Sequence, residues 1–351
     1  MRLYESSEAQ QTVLRHSNDT EPGITRKRMG RYWAYFDARG KRVTDRDEID
    51  RLNAIALPPA YTDAWFCADP EGHLQATGID ARGRKQYRYH ADYRAKRDSA
   101  KYDGLLEFGK ALPRLRRQIE QDLKRRGLCR ETVLAAVVRL LDTEHLRIGN
   151  EEYAKSNKSY GATTLRSRHL RRRGNKLTMR FVGKHGIVHE ANITDTNLKR
   201  IVKRCQELPG QMLFQFVNGD GEPQAITSTD VNDYIRDASK GDFTAKHFRT
   251  WGASVIAFEQ LLMKSEHSRI SIKTVVEPVA EALGNTVAMS RKSYVHPALL
   301  DAVKEDSRDP LDGMARPRER KRISSTEVGL LEFLSRNTKK GRRRRVKQAA
   351  A

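Results

Sequence analysis

Thr132-Val133-Leu134-Ala135-Ala136-Val137-Val138-Arg139-Leu140-Leu141-Asp142-Thr143-Glu144-His145-Leu146 is the run that decides the fold. Its apolar residues occupy every side of a 3.6-residue period, which predicts a helix buried all round. Upstream, residues 102–126 carry apolar residues at helical spacing, and Gly127 is a plausible stop. Downstream, residues 165–193 change to a strand period. They include a hairpin in which Gly183-Lys184-His185-Gly186 turns between residues 177–182 and 187–189. Helical spacing returns at residues 195–207, 228–238, 248–263 and 272–283, and a short helix is expected after Pro297.

The first hundred residues read differently. Residues 31–36 (RYWAYF), 64–68, 73–79 and 85–89 are strand-like and separated by turn chemistry such as Asp37-Ala38-Arg39-Gly40 and Asp80-Ala81-Arg82-Gly83. Thr44 and Asp45 can cap a short helix that Pro58-Pro59 ends. The expected organisation is a flexible arm over 1–25, a β-rich domain over 26–98 and a larger domain over 99–322, with a terminal helix and basic tail over 323–351. The polar stretch 95–101 marks the boundary between the two domains. Ser324-Ser325-Thr326-Glu327 resembles a capping box in front of the terminal helix, and the like-charge run Lys339-Lys340-Gly341-Arg342-Arg343-Arg344-Arg345 is expected to be disordered.

Composition limits the function classes. The chain has 351 residues, 67 Lys plus Arg against 45 Asp plus Glu, and a net charge of +22. Such an excess favours a polyanionic partner, and phosphate neutralisation supplies much of non-specific DNA affinity. Hydrophobic residues make up 38% of the chain, enough for real cores. Cys67, Cys129 and Cys205 are scattered, with no CxxC pair and no zinc spacing, which reads as free thiols in a reducing compartment. The N-terminus lacks signal-peptide character, and no stretch approaches the roughly 18 apolar residues of a membrane span. A soluble intracellular protein is expected.

Four local strings could carry chemistry. His145-Leu146-Arg147-Ile148-Gly149-Asn150-Glu151-Glu152-Tyr153 follows the most apolar helix, where a lone arginine also has an ordinary explanation as a cation at a negative helix end. Phe181-Val182-Gly183-Lys184-His185-Gly186 places a lysine in a glycine-flanked turn, as a solvated residue or as a mobile cation reaching into a site. Lys246-His247-Phe248-Arg249-Thr250-Trp251-Gly252 puts an arginine near a positive helix start, which is mildly unfavourable and hints at another duty. Leu283-Gly284-Asn285-Thr286-Val287-Ala288-Met289-Ser290-Arg291-Lys292-Ser293-Tyr294 ends in one of twelve tyrosines, distinguished by the basic pair before it.

In this order the four strings resemble the catalytic motifs of type IB DNA topoisomerases, particularly the compact poxviral and bacterial forms, over roughly residues 31–297. In that family the first arginine lies in an Arg-Val/Ile-Gly string ending in Tyr, matched by Arg147 and Tyr153. The lysine lies in Phe-Val-Gly-Lys, matched at Lys184. The second arginine lies in Leu/Phe-Arg-Thr-Tyr/Trp-Gly, matched at Arg249 with Lys246 assisting. The nucleophile closes a Gly-His/Asn-Thr…Ser-Lys/Arg…Tyr string, matched by Tyr294. The segment 78–89 resembles the family's DNA-contacting strand, with Arg84, Tyr87 and Tyr89 as the implied contacts. On a strand, Tyr87 and Tyr89 also point to one face. One departure is Asn285, where viral enzymes have His; Asn can donate a hydrogen bond but cannot titrate.

The resemblance implies an α+β fold: a small N-terminal antiparallel β-meander, then a larger, mainly helical catalytic domain with a short hairpin sheet, as in tyrosine recombinases and type IB topoisomerases. It implies ATP-independent relaxation of supercoiled duplex DNA through a 3′-phosphotyrosine, with no cofactor and no metal, by a cytoplasmic, nucleoid-associated monomer closing as a clamp. Two rivals remain. A tyrosine recombinase shares the Arg, Lys, Arg and Tyr set but usually has His-x-x-Arg at the second arginine, where this chain has Lys246-His247-Phe248-Arg249. A non-catalytic basic DNA-binding protein would form no covalent adduct.

Overall fold

The computed structural model describes residues 13–174, 176–263, 270–304 and 318–349, which form two compact units, Met1–Lys101 and Tyr102–Ala351. The architecture is α+β: an antiparallel β unit followed by a mainly helical unit with two small sheets.

In the first unit β1 (Ile24–Met29) and β2 (Tyr32–Phe36) form a hairpin in which Met29 faces Tyr32. Asp45 starts α1 (Arg46–Ala54) by accepting the Asp47 amide. β3 (Thr62–Phe66), β4 (Leu74–Ile79) and β5 (Lys85–Tyr89) complete a sheet of order β2-β1-β3-β4-β5 with every pair antiparallel. Leu52 of α1 closes its core with Ile24, Tyr35, Leu57, Phe66 and Ala76.

Strand β1 is absent from the sequence reading because only Ile24 of its six residues is buried, so ITRKRM shows no apolar alternation. The preceding arm is tied down from Arg15 onward. The Arg15 amide donates to Glu71 and the His73 amide to the Arg15 carbonyl, at 2.9 and 2.8 Å, and Ser17 Oγ donates to Leu74 O at 3.0 Å. Residues 1–12 of the expected flexible arm lie outside the described residues. The polar stretch 95–101, expected as the domain boundary, is helical, within α2 (Ala91–Asp103), and the two units divide just after it, between Lys101 and Tyr102. A polar helix and a polar linker have the same composition, so hydropathy could not separate them.

The second unit is built on α3 (Leu105–Leu123) and α4 (Arg130–Glu144). Val133 to Val138, Leu140 and Leu141 of α4 are all buried, as its all-round apolar pattern predicts. The single helix expected over 102–126 breaks at Gly104, between α2 and α3. After α5 (Glu151–Asn157), strands β6 (Leu170–Arg173), β7 (Lys176–Val182) and β8 (Val188–Ile193) make an antiparallel sheet with Leu177, Met179 and Phe181 turned inward. Then come α6 (Thr196–Glu207), the short pair β9 (Gln215–Val217) and β10 (Pro223–Ala225), α7 (Ser228–Ser239), α8 (Ala245–Leu262), α9 (Ile272–Leu283), α10 (Val287–Ser293), α11 (Pro297–Lys304) and α12 (Ser325–Ala349).

The expected capping box starts α12: the Ser324 amide donates to Glu327 Oε2 and the Glu327 amide to Ser324 Oγ, at 2.9 and 3.2 Å. The basic run Lys339 to Arg345, expected to be disordered, falls within this helix. Glu327 has a second duty. With Asp142 it clasps the guanidinium of Arg116, each carboxylate accepting two hydrogen bonds at 2.8–2.9 Å. Burial works against charge here, but the two carboxylates raise Arg116 above the usual arginine range. Removing one partner of such a pair costs about 3–5 kcal/mol, because an uncompensated charge stays buried.

Candidate active site

Three helix ends converge to make the site. α4 ends at His145, whose left-handed backbone (φ 49°) turns the chain into Arg147. The Arg147 segment is then gripped by a crossing strand of backbone: the Ala162 amide donates to Arg147 O and the Thr163 amide to Ile148 O, both at 2.8 Å. A Cβ on Gly161 would lie 2.5 Å from the Gly149 nitrogen, so only glycine permits this crossing.

Arg249 lies in the second turn of α8 and is 4% exposed. It donates to the carbonyl of His145 and, at 3.0 Å, to that of Leu283, joining the ends of α4 and α9. α9 stops on Gly284 in the left-handed region (φ 58°), which delivers Asn285; its Oδ1 accepts from Arg147 Nη2 at 2.6 Å. Thr286 caps α10, and Tyr294 follows that helix with its amide donating to Ser290 O at 3.0 Å. The Arg249 guanidinium carbon stands 5.1 Å from the centre of the Tyr294 ring.

Arg147, Arg249, Asn285 and Tyr294 are therefore brought together from three separate stretches of sequence. Their unused donors are informative. Arg147 Nη1, Arg249 Nε, Asn285 Nδ2 and the hydroxyl of Ser290 are buried and lack a hydrogen-bond partner among the described residues. Each such group costs about 1–3 kcal/mol. Concentrated at one place, they make a site suited to an anion with several oxygens.

The electrostatics favour a nucleophilic phenol. Burial alone would raise Tyr294, but the Arg249 and Arg147 charges outweigh it and hold the phenol below its ordinary value. Burial, with Arg147 adding to it, pushes Arg249 down to about 10, still far enough above neutrality to stay charged. A strand-cleaving reaction in which this phenolate attacks would therefore speed up as pH rises. Arg249→Ala should move that rise to higher pH and slow cleavage at pH 7.5 by about 10²–10³-fold, the usual cost of losing one transition-state donor. Single-turnover cleavage measured across pH tests this; an unmoved profile would remove Arg249 from the ionisation of Tyr294.

Lys184 is not in this cluster. It sits at the exposed tip of the β7–β8 hairpin, followed by His185 and Gly186 at positive φ, and has no hydrogen-bond or ion-pair partner among the described residues. The root of that hairpin does reach the site. His189 of β8 lies against both Gly183 and Gly284: a Cβ on either would come within 2.6–2.7 Å of its ring. Burial, then the Arg147 and Arg249 charges, lower the His189 pKa.

His189 and Ser290 were missed by the sequence reading. A signal for His189 existed, since strand alternation puts it on the face of Ala191 and Ile193. Ser290 had only its place one helical turn before Tyr294.

The remaining candidates are peripheral. Lys246 is exposed at the start of α8, and Tyr153 is exposed on α5. In the first unit Tyr87 and Tyr89 stack on one face of β5, with centroids 6.2 Å apart. Arg84 is paired with Asp80 at 2.7 Å. Among the described residues no group of three or more His, Cys, Asp or Glu could hold a metal ion, and no helix is long and apolar enough to cross a membrane.

Comparison with known proteins agrees with this arrangement. A family model described as eukaryotic DNA topoisomerase I, catalytic core, matches residues 90–309, and one described as bacterial DNA topoisomerase IB, N-terminal domain, matches residues 32–80. DNA topoisomerase 1B of Acanthamoeba polyphaga mimivirus is 31% identical over 317 residues, covering 84% of this chain and 94% of the relative. DNA topoisomerase 1B of vaccinia virus (strain Copenhagen) is 22% identical over 270 residues, covering 74% of this chain and 83% of the relative. With its catalytic-core match spanning the Arg147, Arg249, Asn285 and Tyr294 cluster, this chain belongs to the type IB DNA topoisomerase family.

Proposed function

We propose that Tyr294 is the nucleophile with which this enzyme cuts and reseals one strand of duplex DNA. The observation that carries the assignment is the placing of Tyr294 beside two arginines and Asn285, with buried donors left over. The phenolate oxygen attacks a backbone phosphorus and the bond to the 5′-oxygen breaks, leaving a 3′-phosphotyrosine. The free 5′-hydroxyl reverses the step. Two transesterifications conserve the bond energy, so relaxation proceeds without ATP.

Arg147, Arg249 and Asn285 hold the non-bridging oxygens as negative charge builds on them, and guanidinium forks suit that geometry. Side-chain cations take the places that divalent ions occupy in two-metal nucleases. Lys184 approaches from its hairpin and protonates the leaving 5′-oxygen, a role that requires a movement on DNA binding. Tyr87, Tyr89 and Arg84 contact DNA from the first unit, Arg84 by exchanging Asp80 for phosphate, while Tyr153 and Lys246 contact it from the second. The enzyme works as a monomer that closes around the duplex as a clamp, in the cytoplasm at the nucleoid.

The test is relaxation of negatively supercoiled plasmid in EDTA without nucleotide. The wild type should release a ladder of linking numbers. Strand exchange confined to defined sites would favour a recombinase, and a strict need for added Mg²⁺ would overturn the side-chain mechanism.

A further inference from the structure

The groups that hold Arg249 lead into a second buried cluster. Arg249 donates to the carbonyl of His145, one residue beyond α4. One turn earlier in α4, Asp142 accepts two hydrogen bonds from Arg116, both at 2.8 Å. Two residues beyond Arg249 in α8, Trp251 donates its ring N–H to Glu327 Oε1 at 2.9 Å. Glu327 also accepts twice from Arg116, at 2.8 and 2.9 Å. A single carboxylate on α12 thus ties the segment that supplies the Arg249 backbone to the segment that accepts its guanidinium.

The surroundings leave little slack. Glu327 is 6% exposed and Trp251 2%. A Cβ on Gly109 of α3 would lie 2.2 Å from the Trp251 ring and 2.8 Å from Leu331 of α12, so α3 and α12 both press on that tryptophan. Burial would raise Glu327, but Arg116 and Trp251 hold it ionised below the usual carboxylate range. The residue lies beyond position 309, where the match to the catalytic-core model ends.

We infer that Glu327 is a positioning residue for Arg249, which makes the terminal helix α12 a working part of the catalytic unit. Its bonds to Trp251 and Arg116 fix the spacing between α8 and the end of α4, and that spacing aims the guanidinium. An error of about 1 Å in such a group can cost about 10²-fold in rate. The inference rests on Arg249 acting on the scissile phosphate.

The experiment is a double-mutant cycle in the full-length protein, read by single-turnover formation of the covalent adduct on a duplex, with duplex affinity and thermal unfolding measured alongside. Glu327→Ala should slow cleavage by about 10–100-fold, with duplex affinity nearly unchanged. In an Arg249→Ala background the same change should cost less than about twofold, because the group it aims is gone. Glu327→Gln, which keeps an acceptor for Trp251, should retain more activity than Glu327→Ala. Phe333→Ala, also on α12 but packed on Phe258, controls for loss of stability and should cleave normally.

Equal losses from Glu327→Ala in both backgrounds would overturn the inference. So would an equal slowing by Phe333→Ala at matched unfolding temperature, or wild-type cleavage by Glu327→Ala. Normal cleavage by Arg249→Ala would instead remove the reading of Arg249 on which it rests. Should Glu327→Ala fail to fold, Trp251→Phe, which removes the N–H donor together with part of the indole, enters the same cycle with the same expected outcomes, and Phe333→Ala again controls for the lost packing.

Discussion

Tyr294→Phe should abolish the covalent protein–DNA adduct and lower plasmid relaxation by at least about 10⁴-fold, since removing the attacking oxygen removes the entire covalent route. The substitution deletes one oxygen and keeps the ring beside Arg249, with its guanidinium carbon 5.1 Å from the ring centre. That cation–π contact is worth about 2 kcal/mol when desolvated, as it is here, and survives in Phe. Arg147 and Arg249 lose the phenol oxygen as a partner but keep their charges and their other bonds, so duplex affinity should stay within about threefold, because phosphate contacts set it. Adduct trapping in denaturant reads the first effect, and a binding titration at fixed salt reads the second. An adduct that persists would move the nucleophile to another residue. A collapse of binding would show that Tyr294 holds the site together, as a packed tyrosine does.

The contrast between these outcomes shows how the site was legible. Motif order picks out Arg147, Arg249, Asn285 and Tyr294, because they stand in three short strings, each with its own local wording. What the strings could not give was the brace behind them. The partners of Arg116 lie 26 and 211 residues away in sequence, at Asp142 and Glu327, and no periodicity links them. The Glu327 side chain was readable as half of a capping box, and its second partner was not.

The fold divides along the same line. Helix α4 declared itself because burial on every face leaves an unmistakable pattern. Strand β1 was lost because its exposed residues dominate its composition, and helix α2 because its polar sequence lacks an apolar stripe. Local pattern reports burial, so it fails where an element is held mainly by backbone pairing.

Lys184→Ala separates the general acid from the groups that bind phosphate. Leaving alkoxide needs a proton as the bond to phosphorus breaks, and a positioned acid is worth about 10²–10⁴-fold. A sulfur at the same bridging position leaves as a thiolate, whose conjugate acid has a pKa of about 8.5 in water, so it needs little help at neutral pH. The variant should therefore cleave an ordinary strand about 10²–10⁴-fold more slowly and a 5′-sulfur strand within about threefold of wild type. Rates on both substrates, taken at one pH under single turnover, decide the matter.

The geometry makes this a demanding test. Lys184 is exposed on its hairpin, and only the root of that hairpin touches the site, through His189 against Gly183 and Gly284. If the lysine acts by folding in over bound DNA, the loss is confined to the oxygen substrate. If it only contacts the backbone, both substrates slow together, and the proton comes from another donor, with Arg147, already in the cluster, the next residue to test.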